Sequence, residues 1–405
     1  FGSRSAATGG RPMAIGSRGA NVLAPGTVGG GDGGLMAAQA DIVDGAVSQE
    51  EEPSAIEVAE PFFEPVCKAA DKELQTFGAI RAVACTQQNI ITGSSRPVVK
   101  VWQVAEAAIS EVSRMKHGAV GSSCLEPAND GRLLAVCSDD GSISLWDLRQ
   151  ASLARSLASS IGNSWKARFL KGDSSLASGG PSGSICFWNL GDGRLEEEVS
   201  APSGGPPPGS RGQPEAKRQK GQAASPVFSL AVSSDGRLLG CGRMSGDLSI
   251  MRLQGREWVG DVRAHLAGGG GPARGLSFDP TSRLLLSGGD DQHVCVLDAA
   301  SWSRRRAAGE TRWPQLERFP AHRGWVTSTA VCPDPARRVV LTTGWDSAVN
   351  LWDFSNHALL RTYKEHADGA GVVASAFAPD SGRWFVTAGT DGQLALYAVK
   401  APEET

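Results

Sequence analysis

The sequence predicts an all-β fold, a closed seven-bladed β-propeller with a disordered N-terminal tail, and three observations lead to that prediction. A strand that alternates apolar and polar residues and ends in a large apolar side chain recurs seven times along the 405 residues. A second hydrophobic strand, closed by a tight turn, lies upstream of these copies. Glycine, with 51 residues, is abundant enough to supply such turns. A ring of four-stranded sheets accounts for all three observations and protects the sheet edges.

The recurring strand sets the period of the fold. Its last apolar residue is tryptophan in four copies and Met, Leu or Tyr in the other three. Most intervals between copies are 42 to 46 residues, and the two longer intervals, of 63 and 55 residues, contain insertions. Without the insertions the period is about 44 residues, which is typical of repeats that each form one propeller blade. The seven positions are Trp102, Trp146, Trp188, Met251, Leu297, Trp352 and Tyr397.

Turn residues indicate the other strands of each blade. Pairs such as Asp140-Gly141 and Asp391-Gly392 follow the upstream strand, and they favour hairpin turns because glycine adopts positive φ at little cost. One further strand precedes each hairpin. The third strand of the last repeat is followed by few residues, so we expect the N-terminal side to supply the missing outer strand. Residues 73–77 fit that role.

Composition divides the chain into ordered and disordered parts. Residues 1–60 combine glycine runs with an acidic stretch, and they have too few large apolar residues to offset the entropy of ordering. They are predicted to be a disordered tail, followed by a linker at 61–72 and the propeller at 73–399. Residues 201–225 are rich in proline and polar residues and are predicted to be a disordered insertion loop. Residues 400–405 are expected to form a short C-terminal tail.

Charge and spacing argue against several classes of function. The formal net charge is −3, so direct nucleic-acid binding is not expected. Apolar runs are shorter than the roughly 18 residues of a membrane span, which predicts no membrane contact. The eight cysteines are isolated and form no CxxC pair, so neither a metal site, a disulfide framework nor a cofactor is expected. The first residues lack the apolar core of a secretory signal, which predicts an intracellular protein.

Four of the six histidines precede a turn aspartate by a nearly constant 23 to 26 residues. A His–Asp pair is part of a hydrolase triad. A catalytic set occurs once per site, however, whereas this pair recurs once per repeat. We therefore interpret the pairs as structural, with each His bonded to its Asp and, through Ser or Thr, to the tryptophan of the next strand. The pairs are His117 with Asp140, His265 with Asp291, His322 with Asp346, and His366 with Asp391.

Aromatic residues occupy positions that should be polar in an inert propeller. They lie at the starts of inner strands or next to a turn aspartate, and such side chains emerge at one mouth of the central channel. One interpretation is that they bind an extended or helical segment of a partner protein, since aromatic residues dominate binding hot spots. The alternative is that they fill gaps between blades. The residues are Trp165, Phe228, Trp325 and Trp345, with Arg81 and Arg274 at analogous positions.

A second contact candidate lies in the insertion between Trp302 and Trp313. It contains three consecutive arginines, Arg304 to Arg306, close to both tryptophans. Such a run is more often simple solvated charge than a binding patch.

Details within the repeats resemble one family. In the first repeat, Thr-Gly-Ser at 92–94 leads to Val-Lys-Val-Trp at 99–102, and the third repeat has Asn-Ser-Trp at 163–165. The sixth combines Gly-Trp-Val at 324–326 with Val-Cys-Pro-Asp at 331–334 and Val-Asn-Leu-Trp-Asp at 349–353. The chain is identified as a member of the WD-repeat class. Over about residues 73–399 it resembles the small WD-repeat subunit of the superkiller (Ski) complex, also found in the RNA polymerase II-associated factor complex of animals.

This resemblance implies a non-catalytic scaffold. The family binds a tetratricopeptide-repeat subunit and helps to position an RNA helicase that feeds messenger RNA to the exosome. It implies a monomeric propeller within a hetero-complex, located in the cytoplasm and nucleus, that acts in messenger RNA decay and transcription elongation. Two alternatives stay open: a substrate or ubiquitin-ligase adaptor of another pathway, and an enzyme that uses the channel mouth.

Overall fold

A computed structural model describes residues 63–71, 79–105, 108–157, 164–200, 224–265, 271–309, 316–379 and 381–399. The predicted tail at 1–60, most of the insertion loop at 201–225 and the C-terminal tail at 400–405 lie outside these ranges. The described residues form seven four-stranded antiparallel sheets, which confirms the seven-bladed propeller.

The first strand in the chain, β1 (Phe63–Ala70), belongs to the last sheet. Blade 1 contains β2 (Ile80–Cys85), β3 (Asn89–Ser94), β4 (Val98–Ala105) and β5 (Ala108–Lys116). Blade 2 contains β6 (Ser122–Pro127), β7 (Leu133–Ser138), β8 (Ile143–Asp147) and β9 (Ser152–Leu157). Blade 3 contains β10 (Lys166–Phe169), β11 (Ser175–Gly179), β12 (Ile185–Asn189) and β13 (Leu195–Val199).

Blade 4 contains β14 (Val227–Val232), β15 (Leu238–Arg243), β16 (Asp247–Arg252) and β17 (Glu257–Arg263). Blade 5 contains β18 (Ala273–Phe278), β19 (Leu284–Gly289), β20 (His293–Asp298) and, after helix α1 (Ala299–Ala307), β21 (Leu316–Pro320). Blade 6 contains β22 (Val326–Val331), β23 (Val339–Gly344), β24 (Val349–Asp353) and β25 (Leu359–Tyr363). Blade 7 contains β26 (Val372–Phe377), β27 (Trp384–Gly389), β28 (Gln393–Val399) and the returning β1.

The core lies between neighbouring blades. The second strand of a blade is covered on both faces, and every residue of β15 and of β23 is buried. This two-sided burial explains why these strands are nearly continuous runs of apolar and small residues, whereas the outer strand β5 alternates with the period of a half-exposed strand. The tryptophans of the repeat pack into these interfaces, and Trp188 is only 1% exposed.

The ring closes through β1. This strand pairs antiparallel with β28, from Phe63 opposite Val399 to Ala70 opposite Gln393. The prediction that residues 73–77 supply the closing strand is therefore wrong, and the expected linker at 61–72 contains a strand. Residues 73–77 themselves lie outside the described ranges. The core explains the choice, because Phe63 is fully buried among Phe377, Phe385 and neighbouring apolar side chains.

A buried ion pair reinforces this closure. Asp71 follows β1 directly, and its Oδ1 lies 2.6 Å from Nζ of Lys100 on β4. Both side chains are almost fully buried, at 4% and 6% exposed, and Glu111 lies 3.5 Å from the same ammonium. Separating Asp71 from Lys100 would leave an uncompensated buried charge, which is costly. The ion pair therefore stabilises the contact between the end of β1 and blade 1.

The insertion in blade 5 folds as α1, so the fold is nearly all β with one short helix among the described residues. Asp298 caps the helix by accepting a hydrogen bond from the backbone N–H of Ser301. Trp302 is 4% exposed and packs over Gly260 of β17, so it belongs to the core rather than to a contact surface. Trp313 lies outside the described ranges. No helix among the described residues is long and apolar enough to span a membrane.

Candidate functional site

The predicted contact residues surround one cavity of about 510 Å³ at a mouth of the channel. We call this surface the aromatic face and define it by Trp165, Phe228, Trp325, Trp345, Arg81 and Arg274. The structure brings all six together, although they come from blades 1, 3, 4, 5 and 6. Partner binding at this face remains a prediction.

β-Bulges place three of the six residues. In six of the seven innermost strands the pairing with the second strand shifts at the second residue, as between Ile80 and Ala82 and between Ala273 and Gly275. A bulge leaves one residue out of the ladder and re-aims its side chain. Arg81, Phe228 and Arg274 are such residues, and all the bulge residues line the cavity.

The other bulge residues were missed by sequence reasoning. They are Ser123, Thr327 and Val373, and the cavity wall also includes Asp139 and Lys166. Their common signal is position, since each bulge residue is the second residue of an inner strand. The residue type gives no hint, because Ser, Thr and Val are ordinary in strands.

The two most exposed aromatics belong to blade 6. Trp325 precedes β22 and Trp345 follows β23, and the backbone N–H of Trp345 donates to the carbonyl of Trp325 over 2.9 Å. Their rings lie 5.7 Å apart, and their exposed fractions are 44% and 48%. Side chains so exposed do not fill a gap between blades, which argues against the packing alternative for this pair.

A stacked array crosses the face from blade 3 to blade 6. Trp165 meets Phe228 edge-on with centroids 6.1 Å apart. The guanidinium of Arg274 lies 5.2 Å from the Phe228 centroid and 4.8 Å from that of Trp325, which in turn contacts Trp345. Cation–π contacts favour this sandwich. The array is therefore preformed before any partner arrives.

Carboxylates hold the two arginines of the face. Both terminal oxygens of Asp290 accept hydrogen bonds from Arg274, a bidentate arrangement that fixes the guanidinium plane. Asp139 Oδ2 lies 2.5 Å from Nη1 of Arg81, and this pair is more exposed. The cations are thus neutralised within the chain. What the face offers a partner is mainly aromatic and apolar area with a polar rim, as at protein–protein interfaces.

The His–Asp pairs of blades 5, 6 and 7 form as expected. His322 is the complete example: Nδ1 lies 2.9 Å from Asp346 Oδ1, and Nε2 lies 2.9 Å from Thr342 Oγ1, which accepts from Trp352 Nε1 over 2.9 Å. Burial raises the pKa of Asp346, but the hydrogen bond and charge interaction with His322 and the backbone N–H groups of Arg323 and Ala348 together outweigh this effect and lower the pKa to about 2. The His322 and Thr342 side chains are fully buried, so a substrate cannot reach them.

The bonds from histidine to Asp and to Ser or Thr recur in the two neighbouring blades, but the predicted bond to tryptophan does not, because Leu297 and Tyr397 stand at that position. His265 bonds Asp291 over 2.8 Å and Ser287 over 2.9 Å, and His366 bonds Asp391 over 3.2 Å. In blades 1 and 3 the bond from tryptophan to the hydroxyl forms without a histidine, as from Trp188 Nε1 to Ser178 Oγ over 2.8 Å, and in blade 3 Ser164 Oγ also lies 3.0 Å from Ser178 Oγ. Because these networks recur around the ring, we interpret them as structural hydrogen bonds that connect neighbouring strands.

The predicted pair of His117 and Asp140 does not form a hydrogen bond. His117 Nδ1 instead lies 3.3 Å from Ser138 Oγ, and its Nε2 is buried without a hydrogen-bond partner. Asp140 accepts from both the backbone N–H and the hydroxyl of Ser142, at 2.9 and 2.6 Å. The Ser142 hydroxyl, absent from the equivalent turns, competes for the carboxylate. Burial consequently lowers the pKa of His117.

These two histidines predict unequal effects on stability. His322→Ala removes the imidazole bonds of the half-buried Asp346 and the buried Thr342, and we expect a loss of about 2 to 3 kcal/mol in the free energy of unfolding. His117→Ala removes one long hydrogen bond, so its loss should be smaller, about 1 kcal/mol. Urea-induced unfolding of both variants measures the difference. Equal losses would contradict the structural role assigned to the His–Asp network.

Among the described residues, no three His, Cys, Asp or Glu side chains lie close enough together to hold a metal ion. The opposite channel mouth opens into a larger cavity of about 790 Å³, where Arg168 Nη1 donates to Glu126 Oε2 over 2.9 Å. Burial raises the pKa of Glu126 to about 7, against the opposing effect of Arg168. This ion pair alone does not make a recognisable catalytic set.

Comparison with known families and proteins agrees with this geometry. Residues 111–147, 259–298 and 313–353 match the family model described as "WD domain, G-beta repeat". Each match ends with the third strand of a blade, at Asp147, Asp298 or Asp353. Each sequence repeat therefore combines the outer strand of one blade with the first three strands of the next blade, and does not coincide with one sheet.

The chain is similar to several curated proteins. It is 28% identical over 212 residues to WD repeat-containing protein SL1-17 of Schistosoma mansoni, a match that covers 52% of this chain and 62% of the relative. It is 28% identical over 204 residues to WD repeat-containing protein VIP3 of Arabidopsis thaliana, covering 49% and 58%. Protein hir-1 of Neurospora crassa is 25% identical over 191 residues, covering 44% and 18%. The matches thus span about three fifths of the first two relatives and much less of the third.

Proposed function

We propose that this seven-bladed β-propeller, which matches the WD-repeat family model over three segments, is a non-catalytic scaffold that binds partner subunits of a multiprotein complex through the aromatic face. The observation that carries the proposal is the exposed pair of Trp325 and Trp345, continuous with the stacked array of Arg274, Phe228 and Trp165. Aromatic residues and arginine are the residue types that dominate binding hot spots.

The geometry supports tight capture of a short segment. The side chains of the face are fixed by bulges, by stacking and by the Asp290 carboxylate before a partner arrives. A preformed site loses little conformational entropy on binding, which favours affinity. An extended or helical segment with apolar side chains fits a cavity of about 510 Å³ better than a flat surface does.

The finer proposal is a role resembling that of the WD-repeat subunit of the Ski complex. The partners would then be a tetratricopeptide-repeat protein and an RNA helicase, and the process would be exosome-mediated messenger RNA decay, with a further role in transcription elongation. The repeat details at 324–326 and 331–334 support this choice among WD-repeat proteins. We propose locations in the cytoplasm and nucleus on the same grounds.

Affinity purification of the tagged full chain, followed by mass spectrometry, tests both the scaffold proposal and the finer Ski-like proposal. We expect recovery of a tetratricopeptide-repeat protein together with a helicase. Recovery of cullin-associated proteins without a helicase would overturn the Ski-like proposal in favour of an adaptor, while retaining the scaffold. If no protein were enriched over the Trp325→Ala/Trp345→Ala variant, the proposal that binding occurs through the aromatic face would fail.

A further inference from the structure

Two cysteines of blade 2 face each other across neighbouring strands. Cys124 on β6 is the register partner of Cys137 on β7, immediately after the bulge at Ser123. Directly opposed residues of an antiparallel pair project to the same side of the sheet, with Cα atoms about 4.5 to 5.5 Å apart. Disulfides span Cα separations of about 4.4 to 6.8 Å, so the backbone already suits a bond between these two sulfurs. Both cysteines carry free thiols.

The surroundings of the pair distinguish it from the other cysteines. Cys124 Sγ lies 3.8 Å from the guanidinium of Arg168 on β10 of the neighbouring blade, and Lys166 also lies on β10. Cys124 also lines a channel cavity of about 150 Å³ beneath the aromatic face, whereas Cys137 lies fully buried behind it. The Cys124 thiol, although only 4% exposed, therefore borders a cavity of the channel, and a cation is in place to stabilise its thiolate.

The acid–base properties of the thiols agree with this geometry. The hydrogen bond from Cys137, with Lys166 and Arg168, lowers the pKa of Cys124 against the effect of burial. The same interaction raises the pKa of Cys137. Burial raises the pKa of Cys241 and of Cys295 to about 12. Reactive cysteines are those with thiolate character and access, and Cys124 combines a lowered pKa with a position on the wall of the channel cavity.

We infer that Cys124 and Cys137 form an oxidation site, at which hydrogen peroxide or another small peroxide converts the two thiols to an intramolecular disulfide. The Cys124 thiolate attacks one peroxide oxygen, the O–O bond breaks, and the departing hydroxide takes up the proton that the Cys124 thiol released and leaves as water. Cys124 becomes a sulfenic acid. Cys137 sulfur then attacks Cys124 sulfur, the S–O bond breaks, and a second water leaves with the Cys137 proton. Two thiols are oxidised by two electrons in total, and one peroxide is reduced to two waters.

Peptide mapping of the full-length protein tests the inference directly. Cleavage after Lys116, Arg132 and Arg149 separates the two cysteines into peptides 117–132 and 133–149. After brief treatment of the reduced, folded protein with hydrogen peroxide, we expect these peptides to appear as one disulfide-linked species, with the loss of two of the eight thiols. The control variant Cys241→Ala should form the same link, because Cys241 lies in blade 4. Cys137→Ala should instead accumulate a Cys124 sulfenic acid that dimedone traps.

The wild-type protein alone decides the outcome, so the test does not depend on the folding of a variant. Cys67 on β1, which is partly exposed, serves as the internal reference. If both blade 2 peptides were recovered with free thiols after half of Cys67 had been oxidised, the inference would be overturned. A link between Cys124 and any other cysteine would overturn it equally.

Discussion

Deletion of residues 1–71 should abolish cooperative unfolding of the propeller and drive the chain into aggregates. The deletion removes β1, so β28 loses its partner from Val399 to Gln393 and presents an unpaired edge. It also removes Phe63, whose ring lies 5.1 Å from Phe385 and whose carbonyl accepts a 2.8 Å hydrogen bond from the Tyr363 hydroxyl. Calorimetry and size-exclusion chromatography measure both consequences.

Two further variants make this expectation precise. Deletion of residues 1–58 keeps β1 and should leave the unfolding temperature of the propeller unchanged. Phe63→Ala in the full chain should cost about 3 to 5 kcal/mol, the range for a fully buried phenylalanine. A stable, monomeric propeller without residues 1–71 would show that β1 is dispensable for closing the ring.

The misplacement of the closing strand shows what periodicity can and cannot predict. Trp102, Trp146 and Trp188 repeat at regular spacing because each enters an equivalent interface between blades, so the number of blades was predictable. The closing strand belongs to no repeat. Its position depends on which apolar residue fits a cavity in blade 7, and Phe63 fills that space. Local sequence pattern contains no information about this distant contact.

The candidate site was predictable for a related reason. Side chains at the start of an inner strand emerge at the channel mouth whatever their type, so Phe228 and Arg274 could be placed from position alone. The sequence could not predict that Asp140 bonds Ser142 and not His117, because this choice depends on competition between two nearby donors for one carboxylate. Position along a repeat is thus better predicted than the choice of hydrogen-bond partner.

The double variant Trp325→Ala/Trp345→Ala should weaken capture of the partner by at least about 30-fold, which corresponds to a loss of about 2 kcal/mol or more, as for one hot-spot residue. Stability should change little, because the side chains are 44% and 48% exposed and so contribute little to the core. A matched control is Leu153→Ala/Leu359→Ala, which removes two leucines that are each 51% exposed on the outer strands β9 and β25. Quantitative pull-down and thermal unfolding of both variants provide the comparison.

A third variant tests whether binding depends on the position of the Trp345 ring and not only on its presence. Gly371 lies under the Trp345 ring, and a methyl group added there would approach ring atom Cε3 to 2.6 Å. Gly371→Ala must therefore displace the Trp345 ring while every aromatic residue of the face is retained. If binding depends on the preformed array, this variant should lose affinity in the same direction as the double variant, though by less. Normal binding by Gly371→Ala together with weak binding by the double variant would indicate that the partner needs the apolar area but not its fixed geometry. Normal binding by both would exclude the aromatic face as the site of capture.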